Sequence, residues 1–194
     1  MQIGYRCRYW KKAIPYEVCQ KLINLGKGNW KQGTTFGSEQ ANKPLDNVRK
    51  SEVVWITEQW VYDLIMPYMS IANENTGWKY DIVAVEDCQL TRYTKDGFYS
   101  WHLDGIGSHN EVYNEPNDET KHGNTRKLSM SIILNSSFEG GDFEMRELKE
   151  ERKIPRLEEG SVIVFPSFIE HRVAPVTKGI RYSLVAWFVG PPYV

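Results

Sequence analysis

From Gly77 onward the chain breaks into short segments that alternate apolar and polar residues, separated by Gly, Pro, Asn and Asp. Period-two alternation in pieces this short fits strands, and a succession of them with turn residues between predicts an antiparallel sandwich or barrel. Strands are expected at 79–93, 99–102, 127–134, 141–145, 161–165, 171–174 and 180–189. The stretch before Gly77 reads differently. It offers an opening strand at 1–9, a helix after Ile14-Pro15 with Val18, Leu22 and Leu25 on one face, and a short strand at 51–56. A second helix follows, capped by Thr57, with Trp60, Leu64, Tyr68 and Ile71 as its stripe, and Pro67 should kink or break it. The expected class is α+β, one domain in which N-terminal helices (1–78) support a β core (79–194).

At 194 residues the chain has room for one core of ordinary size. Its 41% hydrophobic and 25% charged content, with 7 Trp, 11 Tyr and 7 Phe, excludes disorder, collagen and a coiled coil. No run approaches the roughly 18 apolar residues that span a bilayer, and MQIGYRCRYWKK lacks the apolar core of a secretory signal. A soluble, cytoplasmic protein with no membrane partner is therefore expected. Cys7, Cys19 and Cys88 are widely separated and odd in number, the pattern of buried reduced thiols. Charge is uneven: residues 1–50 carry ten Lys/Arg against three Asp/Glu. A basic front can attract a nucleic acid or an acidic protein, although dispersal among Gly, Thr and Asn favours a solvated surface.

His102-Leu103-Asp104 is the first group able to carry chemistry, because residues i and i+2 of an extended segment point to the same face. By itself an HxD is weak, arising by chance in about one such sequence in six. His171 strengthens it. It opens a β-like segment after the apolar run SVIVF and the turn-forming Pro166-Ser167, where a barrel strand would bring it opposite the first pair. Two imidazoles and one carboxylate on one side of a metal leave positions open, as in non-haem Fe(II) oxygen activation. The same ligands also suit a zinc hydrolase, and the histidines could be ordinary core or surface residues.

Arg181 separates these readings. It lies on the apolar segment IRYSLVAWFV, where a guanidinium is not buried without an anionic partner. No internal acid is marked for it, so a bound dicarboxylic acid becomes the better partner. Alternation places Arg181, Ser183, Val185 and Trp187 on one face, a mixture suited to a small-molecule pocket.

With these residues in view, the sequence resembles the Fe(II)- and 2-oxoglutarate-dependent dioxygenases, specifically their prolyl 4-hydroxylase-like branch. The resemblance is carried by YTKDGFYSWHLD (93–104), RKLSMSIILNSSFEGGDF (126–143), EGSVIVF (159–165) and HRVAPVTKGIRYSLVAW (171–187), in order over about the last 100 residues. It implies a double-stranded β-helix core of jelly-roll or cupin-like form. It further implies Fe(II), 2-oxoglutarate and O2 as cofactors, with ascorbate as accessory reductant, and hydroxylation of a C–H bond with release of succinate and CO2.

Residue by residue, the resemblance makes His102, Asp104 and His171 the iron ligands and Arg181 the partner of the distal carboxylate of 2-oxoglutarate. It gives Tyr93, nine residues before His102, a hydrogen bond to that cosubstrate, and turns the face of Ser129, Ser131 and Ile133 toward it. Ile133 stands where some relatives have a tyrosine. Ser183 completes a guanidinium-plus-hydroxyl clamp, whereas many prolyl hydroxylases carry lysine in place of Arg181. Gly140-Gly141 fits a tight turn between core strands, with Phe143 pointing inward, and Trp187 would wall the site.

The resemblance ranks a prolyl residue in a peptide or protein first as substrate, then a free amino acid or small metabolite. Nucleic acid comes last, because Trp187 stands where the nucleic-acid demethylases usually have a second arginine. The rival readings are a non-catalytic ligand-binding member of the same barrel and a metal-dependent cupin-type hydrolase or isomerase. His109 and His122 read as exposed loop histidines, and 144–153 as a solvated hairpin. The polar stretch 105–125 and the turn-rich 28–50 are expected to be mobile lids.

Overall fold

The computed structural model describes residues 6–34, 47–105, 111–147, 150–152, 154 and 156–193. In chain order its elements are β1 (Arg8–Trp10), α1 (Tyr16–Leu25), β2 (Lys31–Gln32), β3 (Arg49–Lys50), β4 (Glu52–Ile56) and α2 (Gln59–Asn75). The core strands follow: β5 (Ala84–Val85), β6 (Cys88–Tyr93), β7 (Phe98–His102), β8 (Thr125–Ile133), β9 (Phe138–Gly140), β10 (Phe143–Glu147), β11 (Glu150–Arg152), β12 (Val162–Pro166), β13 (Glu170–Val173), β14 (Val176–Gly179) and β15 (Arg181–Gly190).

The main sheet runs β1-β12-β8-β15-β6-β4-β2, with β5 added along β15, and a smaller sheet runs β11-β10-β13-β7-β3. A short β14-β9 ribbon accompanies them, and the pairings are antiparallel. Alternation along the strands of the main sheet divides the interior into two cores. Leu90, Leu128, Met130, Ile132, Val162, Val164, Leu184, Ala186 and Phe188 face α1 and α2, meeting Leu22, Val61, Ile65 and Met69. The residues between them, Tyr93, Ile133, Ile163 and Phe165, face the smaller sheet and meet Phe143, Met145, Val173 and Val176. This double layer of antiparallel sheet, backed by two helices, is a double-stranded β-helix core with N-terminal support, as expected.

Several local expectations are corrected. The strand expected at 51–56 is β4, which pairs β6, and the one expected at 1–9 overlaps β1, which pairs β12, with residues 1–5 outside the described residues; β2 along β4 and β3 along β7 are strands beyond the expected set. The expected strand 79–93 is split into β5 and β6. Glu58, not Thr57, precedes α2, and it makes no side-chain cap. The buried stripe of α2 is Val61, Ile65, Met69 and Ala72, one residue on from the expected one, and Ile71 is 44% exposed. The reason lies in WVYDLIMPYMSIA, which is apolar on several faces and fits either stripe. Pro67 sits inside α2 without ending it, because it and Asp63, whose carbonyl loses its donor, both face solvent. Gly140 and Gly141 do make a tight turn, at φ 69° and 63°. A Cβ on Gly141 would press on the Arg181 side chain at 3.0 Å. No helix among the described residues is long and apolar enough to cross a membrane.

Candidate active site

Strand register brings the site together. β13 pairs β7 so that His171 lies directly opposite His102, and Asp104 follows two residues beyond the end of β7. The Asp104 amide is fixed by donation to the Ser167 carbonyl at 3.0 Å. Its carboxylate stands 3.8 Å from His102 Nε2 and 3.4 Å from His171 Nε2. One ligand atom from each of the three residues lies within 4.8 Å of the other two, and among the described residues no other His, Cys, Asp and Glu cluster does this.

Both imidazoles are oriented by backbone carbonyls. His102 Nδ1 lies 2.7 Å from the Ser100 carbonyl and His171 Nδ1 2.9 Å from the Ile169 carbonyl. A carbonyl can only accept, so each Nδ1 donates and each Nε2 is turned toward the centre. Burial, followed by repulsion from His171, pushes the His102 pKa down to about 3. Burial works to raise the Asp104 pKa, but the electrostatic pull of its His171, His102 and Arg126 neighbours and a hydrogen bond from Ser129 hold it below the usual value. The Tyr99 ring stacks on His102 at 3.5 Å, while Phe165 and Phe143 pack on His171 at 4.8 and 5.5 Å.

Arg181 is the first residue of β15 and pairs with Tyr93 of β6. It is 1% exposed. Nη1 donates to Ser183 Oγ at 3.0 Å, while Nε and Nη2 are buried with no partner among the described residues. Its guanidinium lies 5.4 Å from the Tyr93 ring centre. Neighbouring strands bring Ser131 opposite Val185 and Ser129 opposite Trp187. A single cavity of about 1010 Å³ is lined by His102, Asp104, His171, Arg181, Tyr93, Ser183, Ser131 and Trp187 together. Ile133 is different: it is absent from the lining and packs in the core between the sheets at 1% exposure.

Other expectations fall away from the site. His122 is exposed in a turn bridged to Tyr113, and His109 lies outside the described residues. Of the described part of 105–125, only Gly105 lines the cavity. Tyr113 is 3% exposed and donates to Glu86 Oε1 at 2.9 Å, so the segment around it is tied to the sheet and does not hang free as a lid. From the turn-rich 28–50, residues 35–46 lie outside the described residues, while Trp30, Lys31, Thr34 and Arg49 line the cavity.

Sequence reasoning missed Arg49, Gln89, Tyr99 and the Glu86–Arg126 pair. Arg126 donates to both Glu86 oxygens at 2.7 Å and covers the Trp187 ring at 4.1 Å. Nothing in local pattern marks these residues, because their partners come from distant strands. The one available signal was Arg126 itself, a cation opening the apolar run KLSMSIIL.

The comparisons with known proteins agree with this arrangement. A PKHD-type hydroxylase of Idiomarina loihiensis is 31% identical over 100 residues, which cover 50% of this chain and 39% of that protein. One from Synechococcus sp. (strain CC9605) is 31% identical over 184 residues, covering 89% of this chain and 72% of its own. The chain thus spans about two fifths of the length of the first relative. Among solved structures, the viral collagen prolyl hydroxylase of Paramecium Bursaria Chlorella virus-1, in complex with 2OG, superposes with a TM-score of 0.68 at 19% identity, over 95% of this chain and 96% of that one. A Pseudomonas putida prolyl-4-hydroxylase gives 0.64 at 18% identity, over 94% and 91%. The sequence model of the 2OG-Fe(II) oxygenase superfamily matches residues 88–189. That match covers just over half of the chain and includes the whole His-Asp-His cluster and all but the last residue of the Arg181 strand, and the protein belongs to the 2OG-Fe(II) oxygenase superfamily.

Proposed function

We propose that the chain acts as one Fe(II)- and 2-oxoglutarate-dependent dioxygenase domain, hydroxylating a C–H bond of a prolyl residue in a peptide or protein, or of an amino acid. The observation that carries this reading is Arg181. Its Nε and Nη2 are buried donors without partners among the described residues, in the same cavity as the His102, Asp104 and His171 cluster. A buried cation left this way calls for an anion from outside the chain. The rival hydrolase gives it no role.

The residues present fit both groups. His102 Nε2, His171 Nε2 and the Asp104 carboxylate would hold Fe(II) and leave other positions open. Arg181, with the Ser183 and Tyr93 hydroxyls, would hold the distal carboxylate of 2-oxoglutarate, and Ser131 and Trp187 would line its berth. Bound Fe(II) supplies activation of O2, driven by decarboxylation of 2-oxoglutarate to succinate and CO2. The chain's own share is positional. Backbone carbonyls fix both imidazole tautomers, and Tyr99, Phe143 and Phe165 hold the rings and keep water away from them. The buried thiols suit a reducing, cytoplasmic setting.

The test supplies purified protein with Fe(II), 2-oxoglutarate and O2, with and without ascorbate, and measures succinate. Candidate peptides and amino acids are then screened for the gain of one oxygen atom. Succinate that depends on both metal and O2 supports the reading. Ligand binding with no succinate under any of these conditions favours the non-catalytic member.

A further inference from the structure

The charges lining the cavity are mostly spoken for. Asp104 belongs to the histidine cluster, Arg181 is assigned to the cosubstrate on the proposed reading, and Arg126 is bound through Nε and Nη2 to Glu86. Lys31 and Arg49 remain, and both belong to the basic front of the sequence. Lys31 is exposed, whereas Arg49 is only 6% exposed.

Among the described residues, every hydrogen bond that holds Arg49 goes to a neutral acceptor. Nε donates to Ser51 Oγ at 2.7 Å, Nη2 to Gln89 Oε1 at 2.7 Å and Nη1 to the Thr34 carbonyl at 3.1 Å. Among the described residues no carboxylate pairs with it. The guanidinium lies over the Tyr99 ring at 4.7 Å, and Tyr99 stacks on His102, so one aromatic ring links this cation to the proposed metal site. Among the described residues three of its five N–H groups are engaged, leaving one on each terminal nitrogen, the number that the two oxygens of a carboxylate accept. A cation held rigidly in a cavity wall, with no counter-charge among the described residues, suits an anion that arrives. The 2-oxoglutarate carboxylate already has Arg181, so this anion comes from another molecule. Beside Arg49 and Lys31 the wall is aromatic: Trp30, Trp55 and Trp187. Trp55 is 52% exposed and lies 6.2 Å from Trp187.

We propose that Arg49 is a specificity-determining residue that anchors a carboxylate carried by the substrate itself, with Lys31 steering the anion in and the tryptophans receiving the apolar part. This rests on the oxygenase reading and narrows its substrate class to a carboxylate-bearing amino acid or peptide. The carboxylate is either the main-chain carboxylate of an amino acid or an acidic side chain next to the residue that is oxidised.

The test measures succinate release by the Fe(II)-loaded protein at saturating 2-oxoglutarate, using matched acid and amide probes. N-acetylproline against its amide reports a main-chain carboxylate. Blocked Pro-Glu against Pro-Gln, and blocked Glu-Pro against Gln-Pro, report a side chain. The wild type should prefer the acid in at least one pair by about tenfold or more in kcat/KM. Arg49→Gln should erase the preference by raising KM for the acid, while KM for 2-oxoglutarate stays close to wild type and shows that the barrel is intact. Should that variant fail to fold, Arg49→Lys keeps the charge, loses the fork and should still raise KM for the acid. Lys31→Gln should weaken the salt dependence of the preference. Equal use of acid and amide in every pair, or a preference unmoved by Arg49→Gln, overturns the inference, as does stimulation by single-stranded oligonucleotides alone. Failure of the wild type to release any succinate would sink the oxygenase reading itself, whereas release without acid preference removes only the role of Arg49.

Discussion

His171 and His102 are direct cross-strand partners, and their rings lie 4.2 Å apart at the open end of the β13–β7 pair. Side chains alternate along a strand, so slipping this register by one residue would turn His171 to the other face of the sheet. The site is therefore a product of strand pairing as much as of residue type. Single replacements His102→Ala, His171→Ala and Asp104→Ala should each abolish metal-dependent succinate formation and weaken Fe(II) binding, while leaving the fold in place. Asp104→Glu should also fail, because an added methylene moves the carboxylate by about 1 Å, enough for about a hundredfold loss in rate. Near-normal succinate from Asp104→Ala would remove the cluster from the mechanism.

Arg181 should separate cosubstrate binding from metal binding. Arg181→Met deletes the buried cation and should raise the KM for 2-oxoglutarate greatly, with Fe(II) affinity nearly unchanged. Arg181→Lys keeps the charge but offers a point donor where the planar fork now reaches Ser183. It should keep partial activity and lose roughly 1–3 kcal/mol of 2-oxoglutarate affinity, about one charge-assisted hydrogen bond. The measurement is a 2-oxoglutarate titration of each variant at saturating iron. Unchanged affinity in Arg181→Met would exclude this residue from the site.

The three thiols should be inert in the folded protein. Burial pushes Cys88 up to about 12 and Cys7 and Cys19 up to about 11, and all three are free and buried. Thiolate is the reactive form, so at pH 8 almost none is present on the native chain, while an unfolded cysteine near pKa 8.5 is substantially ionised. Alkylation should thus be slow under native conditions and rapid in denaturant. Fast native labelling of any of the three would show that the packing around it opens.

Much of this site is legible in the sequence because its residues stand on strands with a strict alternation. Arg181, Ser183 and Trp187 reach the cavity through the period of β15 alone, and His102 and Asp104 through the i, i+2 rule. Ile133 shows the limit of that reasoning. It shares a face with Ser131, yet the cavity ends before it and core packing takes over. The α2 stripe fails for a related reason, since an almost uniformly apolar helix does not say which side the sheet will cover. Arg49 was invisible because its meaning depends on Gln89 and Tyr99, forty and fifty residues away in the chain. A polar, basic segment reads as solvated until the fold buries one of its members.

The Glu86–Arg126 pair offers a stability test that also touches the site. Both side chains are under a tenth exposed, the bond is bidentate at 2.7 Å, and Tyr113 donates a third hydrogen bond to Glu86. Removing one partner of such a pair strands the other charge in a poorly solvated place, which costs about 3–5 kcal/mol. Glu86→Gln leaves Arg126 without its counter-charge, so a fall of that size is expected in urea unfolding. Arg126→Met strands Glu86 and should cost a similar amount. The double replacement Glu86→Gln with Arg126→Met removes both charges and should recover most of the loss, since an apolar side chain can fill the space that the pair occupied. Arg126 also lies over Trp187 in the cavity wall, so both variants that alter Arg126 should shift tryptophan fluorescence. Additive losses in the double variant would show that the two residues contribute separately and that the pair is not the unit that holds this wall.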